Sequence, residues 1–386
     1  MTTAFITPEL ITWARNRSHL THGELAKRVN VSETLLSAWE KGDAHPTLRQ
    51  AEKLAQRLHV PFGFLFLSSP PALEIALPDL RTVQGTPLSD PSPEFYDVFN
   101  DALRKQEWYK NYLEDQGTKP LPFVGRFSLT TPMNEVASDI HFTLTMSQEL
   151  RHQSADWEAF LQNLMLKAEQ IGVLVLRNSV VGNNTHRPLS PKEFRGFVIS
   201  DDIAPLVFLN GGDAKSAQIF TLVHELAHLW IGESGLSNPD YLRRSQEQEN
   251  PIERLCDSIT AEALVPYQEF LSAWNQSLPI DRNLEFLGRY FKVSRAVILR
   301  RAYTLDRMSR DEFLEYYSNR MVSDGSARQG GGDFNRNLLV RNSPTFTTAL
   351  VEAVLNRRMS ERGAAHLLNV QVPTFDRFTR WMTGDS

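Results

Sequence analysis

The sequence predicts a mainly α protein: an all-α N-terminal unit, a central α+β domain with a small sheet, and a small helical C-terminal domain. Three observations carry this expectation. Apolar residues recur at helical spacing along most of the chain. Three short apolar runs, 173–177, 197–200 and 205–209, cluster just ahead of one long helical stretch. A Pro-rich and a Gly-rich segment interrupt the pattern. The expected boundaries are 1–70, a Pro-rich linker at 71–93, the central domain at 94–321, a flexible Gly-rich linker at 322–343 and a last helical unit at 344–386.

Composition sets limits. The 386 residues are 41% hydrophobic and 23% charged, an ordinary globular mix. The apolar stretches 203–209 and 219–223 are far shorter than the ~20 residues a membrane span needs. Residues 1–20 lack a signal peptide's basic-then-apolar layout. Cys256 is the one cysteine, so no internal disulfide can form. These features predict a soluble, cytoplasmic protein with no membrane partner. Net charge is −5, but residues 1–67 carry +2 and residues 326–386 carry +3, so contact with phosphates would be local.

In the first unit, Leu10, Ile11 and Ala14 open one helix, and Leu25, Ala26 and Val29 continue in a second. Ser32 is placed to N-cap a third, with Leu35, Leu36 and Trp39 inward and Gly42 stopping it. Leu48, Leu54, Ala55 and Leu58 supply a fourth. In the central domain, helices are expected at 95–114, 157–171, 214–231, 251–264, 267–275, 283–291, 294–307 and 309–320. A weak repeat runs through the chain: the segment 25–32 has echoes at 288–294 and 364–371, each an amphipathic helix ending in a tight turn with a Val. That is a helix-turn-helix layout, though short helix hairpins also serve as plain packing units.

The strongest chemical signal is His224-Glu225-Leu226-Ala227-His228. Histidines at i and i+4 share one helix face and can bind one zinc, with Glu225 beside them as a base for water. Apolar neighbours Phe220, Leu222, Val223, Leu226 and Leu229 place the motif on a buried helix, where unsatisfied imidazoles would be costly. Glu253 is the candidate third ligand, with Glu247 and Glu249 as competitors. Asp257, four residues on, can accept the second ring N–H of a ligating histidine. Cys256 reads as a small buried apolar residue, with a redox role the alternative.

HELAH followed by E-R-L-C-D-S-I-T-A-E-A-L-V-P resembles the ImmA/IrrE metallopeptidases. Glu253, Ala261, Leu264 and Pro266 match that family's downstream block, while Cys256 and Asp257 stand where Ala-Asn is usual and Ile259 where Phe is. The resemblance implies a zincin-like, gluzincin-type zinc metallo-endopeptidase, with Zn²⁺ on His224, His228 and Glu253 and Glu225 as catalytic base. Residues 1–67 resemble an XRE-type helix-turn-helix, through Glu24-Leu25-Ala26-Lys27, Val31-Ser32, Trp39-Glu40-Lys41-Gly42 and Pro46-Thr47.

The DNA-contact candidates are Lys27, Arg28, Ser32, Thr34, Ser37 and Lys41. The helix after Ser32 has no basic residue until Lys41, and Glu33 and Glu40 would repel phosphates they faced, so protein docking or dimerisation competes with double-stranded DNA. The unit at 284–305, with Lys292, Arg295, Arg300 and Arg301, is either a second basic hairpin or packing. The C-terminal arginines Arg357, Arg358, Arg362, Arg377 and Arg380, beside Phe375, Phe378 and Trp381, form a third candidate. Residues 205–209 are a candidate edge strand for an extended substrate. The expected function is a zinc endopeptidase regulator cleaving a repressor or a toxin–antitoxin component, directed by its DNA-binding head. The alternative is a non-proteolytic antitoxin or transcriptional regulator that grips a toxin partner and operator DNA. A homodimer is compatible with either.

Overall fold

Helix boundaries in the first unit follow from capping chemistry. In the computed structural model, which describes residues 2–18, 20–71, 91–237, 251–320 and 333–384, this unit contains α1 (Pro8–Arg17), α2 (His22–Val29), α3 (Glu33–Lys41) and α4 (Leu48–Leu58), then a 3-10 turn at Phe62–Phe66. Thr21 with Glu24, and Thr47 with Gln50, form capping boxes that start α2 and α4. Ser32 accepts from Leu35 N to start α3, and Gly42 in the left-handed region ends it. Leu25, Val29, Leu36, Trp39, Leu54 and Leu58 fill the core. Leu35, expected inside, is exposed instead: it lies one helical step, about 100°, from Leu36, beyond the edge of the buried stripe.

The chain divides into two compact units, Met1–Pro78 with Leu88–Asp97, and Asp79–Pro87 with Val98–Ser386. Helix α5 (Pro93–Asp115) starts in the first and continues in the second. The second unit goes on with α6 (Met133–Thr143), α7 (Gln148–Gln153) and α8 (Trp157–Gln170). Next come β1 (Leu174–Asn178), β2 (Val180–Val181), β3 (Asn184–Pro188), β4 (Gly196–Ile199), β5 (Leu206–Asn210), α9 (Lys215–Trp230) and β6 (Gly235–Ser237). Then follow α10 (Pro251–Leu264), α11 (Tyr267–Ala273), α12 (Ile280–Phe291), α13 (Arg295–Thr304) and α14 (Arg310–Arg320).

The main sheet has the order β1-β5-β4-β6, and β2 pairs with β3 as a separate hairpin. β5 pairs parallel with β1 and antiparallel with β4, so every residue of its apolar run is buried. The expectation that residues 205–209 form an edge is therefore corrected. Among the described residues the outer strands are β1 and β6. Helix α9 is buried nearly all round, packed on β4 and β5 and against α6, α8 and α10.

Residues 322–332 of the expected Gly-rich linker lie outside the described residues, and α15 (Phe334–Asn342) occupies most of the remainder, 333–343. Asp333 caps it, and it packs on β1 through Leu338. Its polar sequence buries only Leu338 and Asn342 and so offers little periodicity to read. Helices α16 (Pro344–Leu355), α17 (Glu361–Leu367) and α18 (Val372–Thr383) complete the chain. They belong to the second compact unit rather than to a body of their own. Asn369 Nδ2 lies 3.0 Å from Asp101 Oδ1, and Thr345 Oγ1 donates to Glu169 Oε2 at 2.6 Å. Most of the expected Pro-rich linker, 72–90, and the competitors Glu247 and Glu249 lie outside the described residues.

Candidate metal centre

His224 and His228 leave α9 on one side, one turn apart, and α10 brings Glu253 opposite them from its first turn. His224 Nε2 lies 3.2 Å from His228 Nε2 and 3.2 Å from Glu253 Oε2. His228 Nε2 lies 3.3 Å from Glu253 Oε1. One donor atom from each residue falls within 4.8 Å of the other two, and all three residues are buried. A four-coordinate ion with bonds of about 2.1 Å sets its ligands about 3.4 Å apart, so the spacing fits a metal. The chemistry agrees: two ring nitrogens and a carboxylate crowded together in a buried core form a donor set that could share a cation.

Asp257, one turn further along α10, has Oδ1 2.9 Å from His224 Nδ1. This holds the ring with Nε2 turned toward the other donors. Burial disfavours a charged His224, but Asp257 and Glu253 outweigh it and hold its pKa well above the usual histidine value. Burial likewise pushes Glu253 up, and the charges of His228 and His224 more than reverse this, leaving it well below the carboxylate range. The pocket thus favours positive charge between these groups. His228 Nδ1 has no hydrogen-bond partner among the described residues.

Glu225 follows the first histidine and is completely buried, 0% exposed. Two glycines shape the space around it and around His228. A Cβ at Gly196 would stand 2.6 Å from Thr221 Cγ2 and 3.3 Å from Glu225 Oε1. A Cβ at Gly235 would stand 2.8 Å from His228 Cε1 and 2.9 Å from its Nε2. Outer strand β6 therefore passes directly against the His228 ring.

Residues 168–303 match the family model of the IrrE N-terminal-like domain, which takes in α9, α10 and all three residues of the cluster. Residues 11–65 match the helix-turn-helix model. An XRE-type helix-turn-helix is fused to an IrrE-like domain. Among curated proteins no match to the chain is found. The IrrE-like match ends within α13 and leaves α14 to α18 unassigned.

In the helix-turn-helix domain, Lys27, Arg28, Ser32, Thr34 and Lys41 are exposed or half-buried, as is Ser37. Glu40 does not confront an approaching phosphate. It is held by Arg15 Nε at 2.7 Å and His22 Nε2 at 3.0 Å. Burial raises its pKa, and Arg15 more than offsets that.

The basic hairpin at 284–305 is packing. Ala296, Val297, Ile298 and Leu299 of α13 are buried, and Arg301, 4% exposed, donates to Val265 O and Glu262. Cys256 is fully buried, and burial with the nearby carboxylates pushes its thiol well up, as for a small packed core residue. Sequence reasoning missed Gly196 and Gly235, because a glycine announces nothing until the side chain it makes room for is in place.

Proposed function

We propose that this chain is a zinc-dependent endopeptidase regulator whose helix-turn-helix head directs it to DNA and whose IrrE-like domain cleaves a protein partner. The observation that carries this reading is the convergence of His224, His228 and Glu253 on one point, with Glu225 next to the first ligand on the same helix. These three side chains would hold the ion. When bound, zinc supplies Lewis acidity to the site. Glu225 takes a proton from the attacking water at its carboxylate as the water oxygen bonds to the scissile carbonyl carbon. The C–N bond then breaks, and Glu225 returns that proton to the leaving nitrogen. Asp257 Oδ1, 2.9 Å from His224 Nδ1, keeps the ring oriented throughout.

Substrate presentation falls to β6. It pairs only with β4 among the described residues, and Gly235 brings its backbone against His228. An extended segment added along its free side would lie beside the ligands, held by main-chain hydrogen bonds. The protein partner is a repressor or a toxin–antitoxin component.

The test is Glu225→Gln, read by labelling new protein N-termini in cells that express either form, alongside metal analysis of both purified proteins. The expected result is an unchanged zinc content, with the wild-type-dependent N-termini gone. Cleavage that survives the substitution would remove Glu225 from this role. Zinc retained with no wild-type-dependent cleavage at all would favour a binding regulator.

A further inference from the structure

Three turns in this chain share one backbone plan. In the head, Ala26 is followed by Asn30 in the left-handed region, then Val31, then the N-cap Ser32, and Val31 N donates to Ala26 O at 3.0 Å. Between α12 and α13 the same places hold Gly288, Lys292, Val293 and Ser294, with Val293 N to Gly288 O at 3.1 Å. Between α17 and α18 they hold Ala365, Asn369, Val370 and Gln371, with Val370 N to Ala365 O at 2.9 Å. The inward residues of the following helix also correspond: Leu36 and Trp39 in the head match Phe375 and Phe378 in α18, all buried. Phe375 and Phe378 are thus the core of a helix-turn-helix.

What separates the copies is the outer face of the second helix. That of α13 is consumed by packing. That of α18 is open: Pro373, Arg377, Arg380 and Trp381 are exposed. Gln371 is exposed too, and its side chain makes no cap hydrogen bond. Gln371 and Thr374 border a groove of about 410 Å³, lined by Asn183, His366, Phe334 and Val370 as well.

Charge follows the same division. Residues 333–384 hold seven arginines against four carboxylates in a chain of net charge −5. Arg357, Arg358, Arg362 and Arg377 are exposed and enter no ion pair among the described residues, while Arg380 pairs with Asp376.

We infer that α17 and α18 form a second duplex-DNA-binding helix-turn-helix. Recognition helices read base edges with residues near their N-terminus, where Gln pairs with adenine and Arg with guanine. Here Gln371, Thr374 and Arg377 occupy the N-cap, third and sixth positions of α18. The corresponding head residues, Ser32, Leu35 and Ala38, carry no such amide or guanidinium donors. Arg362, near the start of α17, is placed as a phosphate contact. This inference does not depend on the peptidase reading.

The test uses the full chain carrying Lys27→Ala, Arg28→Ala and Lys41→Ala, which removes the head's own phosphate contacts. Its affinity for a labelled mixed-sequence duplex of about 30 base pairs is measured by anisotropy between about 50 and 200 mM salt. Binding should persist. Adding Arg362→Ala and Arg377→Ala should weaken it roughly tenfold and flatten the slope of log K against log salt by about one for each phosphate no longer neutralised. Lysine at both positions should keep the slope, which separates the effect of charge from a failure to fold. A head-substituted chain that no longer binds DNA overturns the inference. So does binding that the alanine pair leaves unchanged, the result expected if this face docks a protein.

Discussion

Glu253 and Asp257 sit one turn apart on α10 and act on the same histidine through different atoms: Glu253 reaches His224 Nε2, and Asp257 reaches Nδ1. Their removal should therefore be graded. Glu253→Ala deletes a ligand and leaves two imidazoles that cannot hold a structural-strength site, so zinc should fall from about one per chain to a trace. Asp257→Ala leaves the ligand set intact but frees the His224 ring, and a loss of about 10–100-fold in zinc affinity is expected. Elemental analysis of the dialysed proteins, with a competition titration against a chelating dye, checks both. Equal losses from the two substitutions would contradict the division of roles. The candidate ligands are legible in the sequence because their side chains are the chemistry, and the i, i+4 spacing of the two histidines is a helix rule. Gly235 is not, since its contribution is the volume it leaves beside His228.

At the scale of elements, Glu158 ties together three pieces that carry the site. From α8 it accepts from Arg177 of β1 at 2.7 Å and lies 2.9 Å from Lys215 at the start of α9. Burial alone would raise its pKa, but Arg177 and then Lys215 reverse this, and the group is lowered to about 2. A carboxyl whose folded pKa is depressed contributes stability above its unfolded value, near 4.5, and loses it as pH falls toward about 2. Glu158→Gln should therefore be less stable than wild type at neutral pH, by about 1 kcal/mol or less because the side chain is partly solvated. The gap should close between pH 4.5 and about 2 in denaturant titrations. A gap independent of pH would mean that the charge is not what links the three elements. Element identity is largely legible: the sequence places a helix at 214–231, and α9 spans Lys215–Trp230. Strand order is not. An apolar run such as that of β5 announces burial, but which strands flank it depends on partners distant in the chain, so an inner strand reads as an edge. Helix α15 escapes for a related reason, since one buried leucine and one buried asparagine make no stripe.

Among the described residues, the head and the IrrE-like domain are built around different apolar clusters. One is built around Leu25, Leu36, Trp39 and Leu54, the other around α9 with Val223, Leu226, Phe270 and Ile298. The candidate metal centre lies entirely within the second, between α9 and α10. A ligand that binds only the folded form stabilises the cooperative unit that contains its site. At free zinc a thousandfold above Kd this amounts to about 4 kcal/mol. In a unit of this size that raises its transition by on the order of 10 °C. Scanning calorimetry of the full chain should accordingly show two transitions, with chelator lowering one and leaving the other in place. His224→Ala should lower the same transition and make it insensitive to chelator. The transition that does not move should respond instead to a cavity in the head's core, such as Leu54→Ala, which is expected to cost about 2–5 kcal/mol. A single transition that chelation lowers as a whole would show that the head and the IrrE-like domain unfold as one body. Zinc occupancy would then reach the head through stability as well as through catalysis.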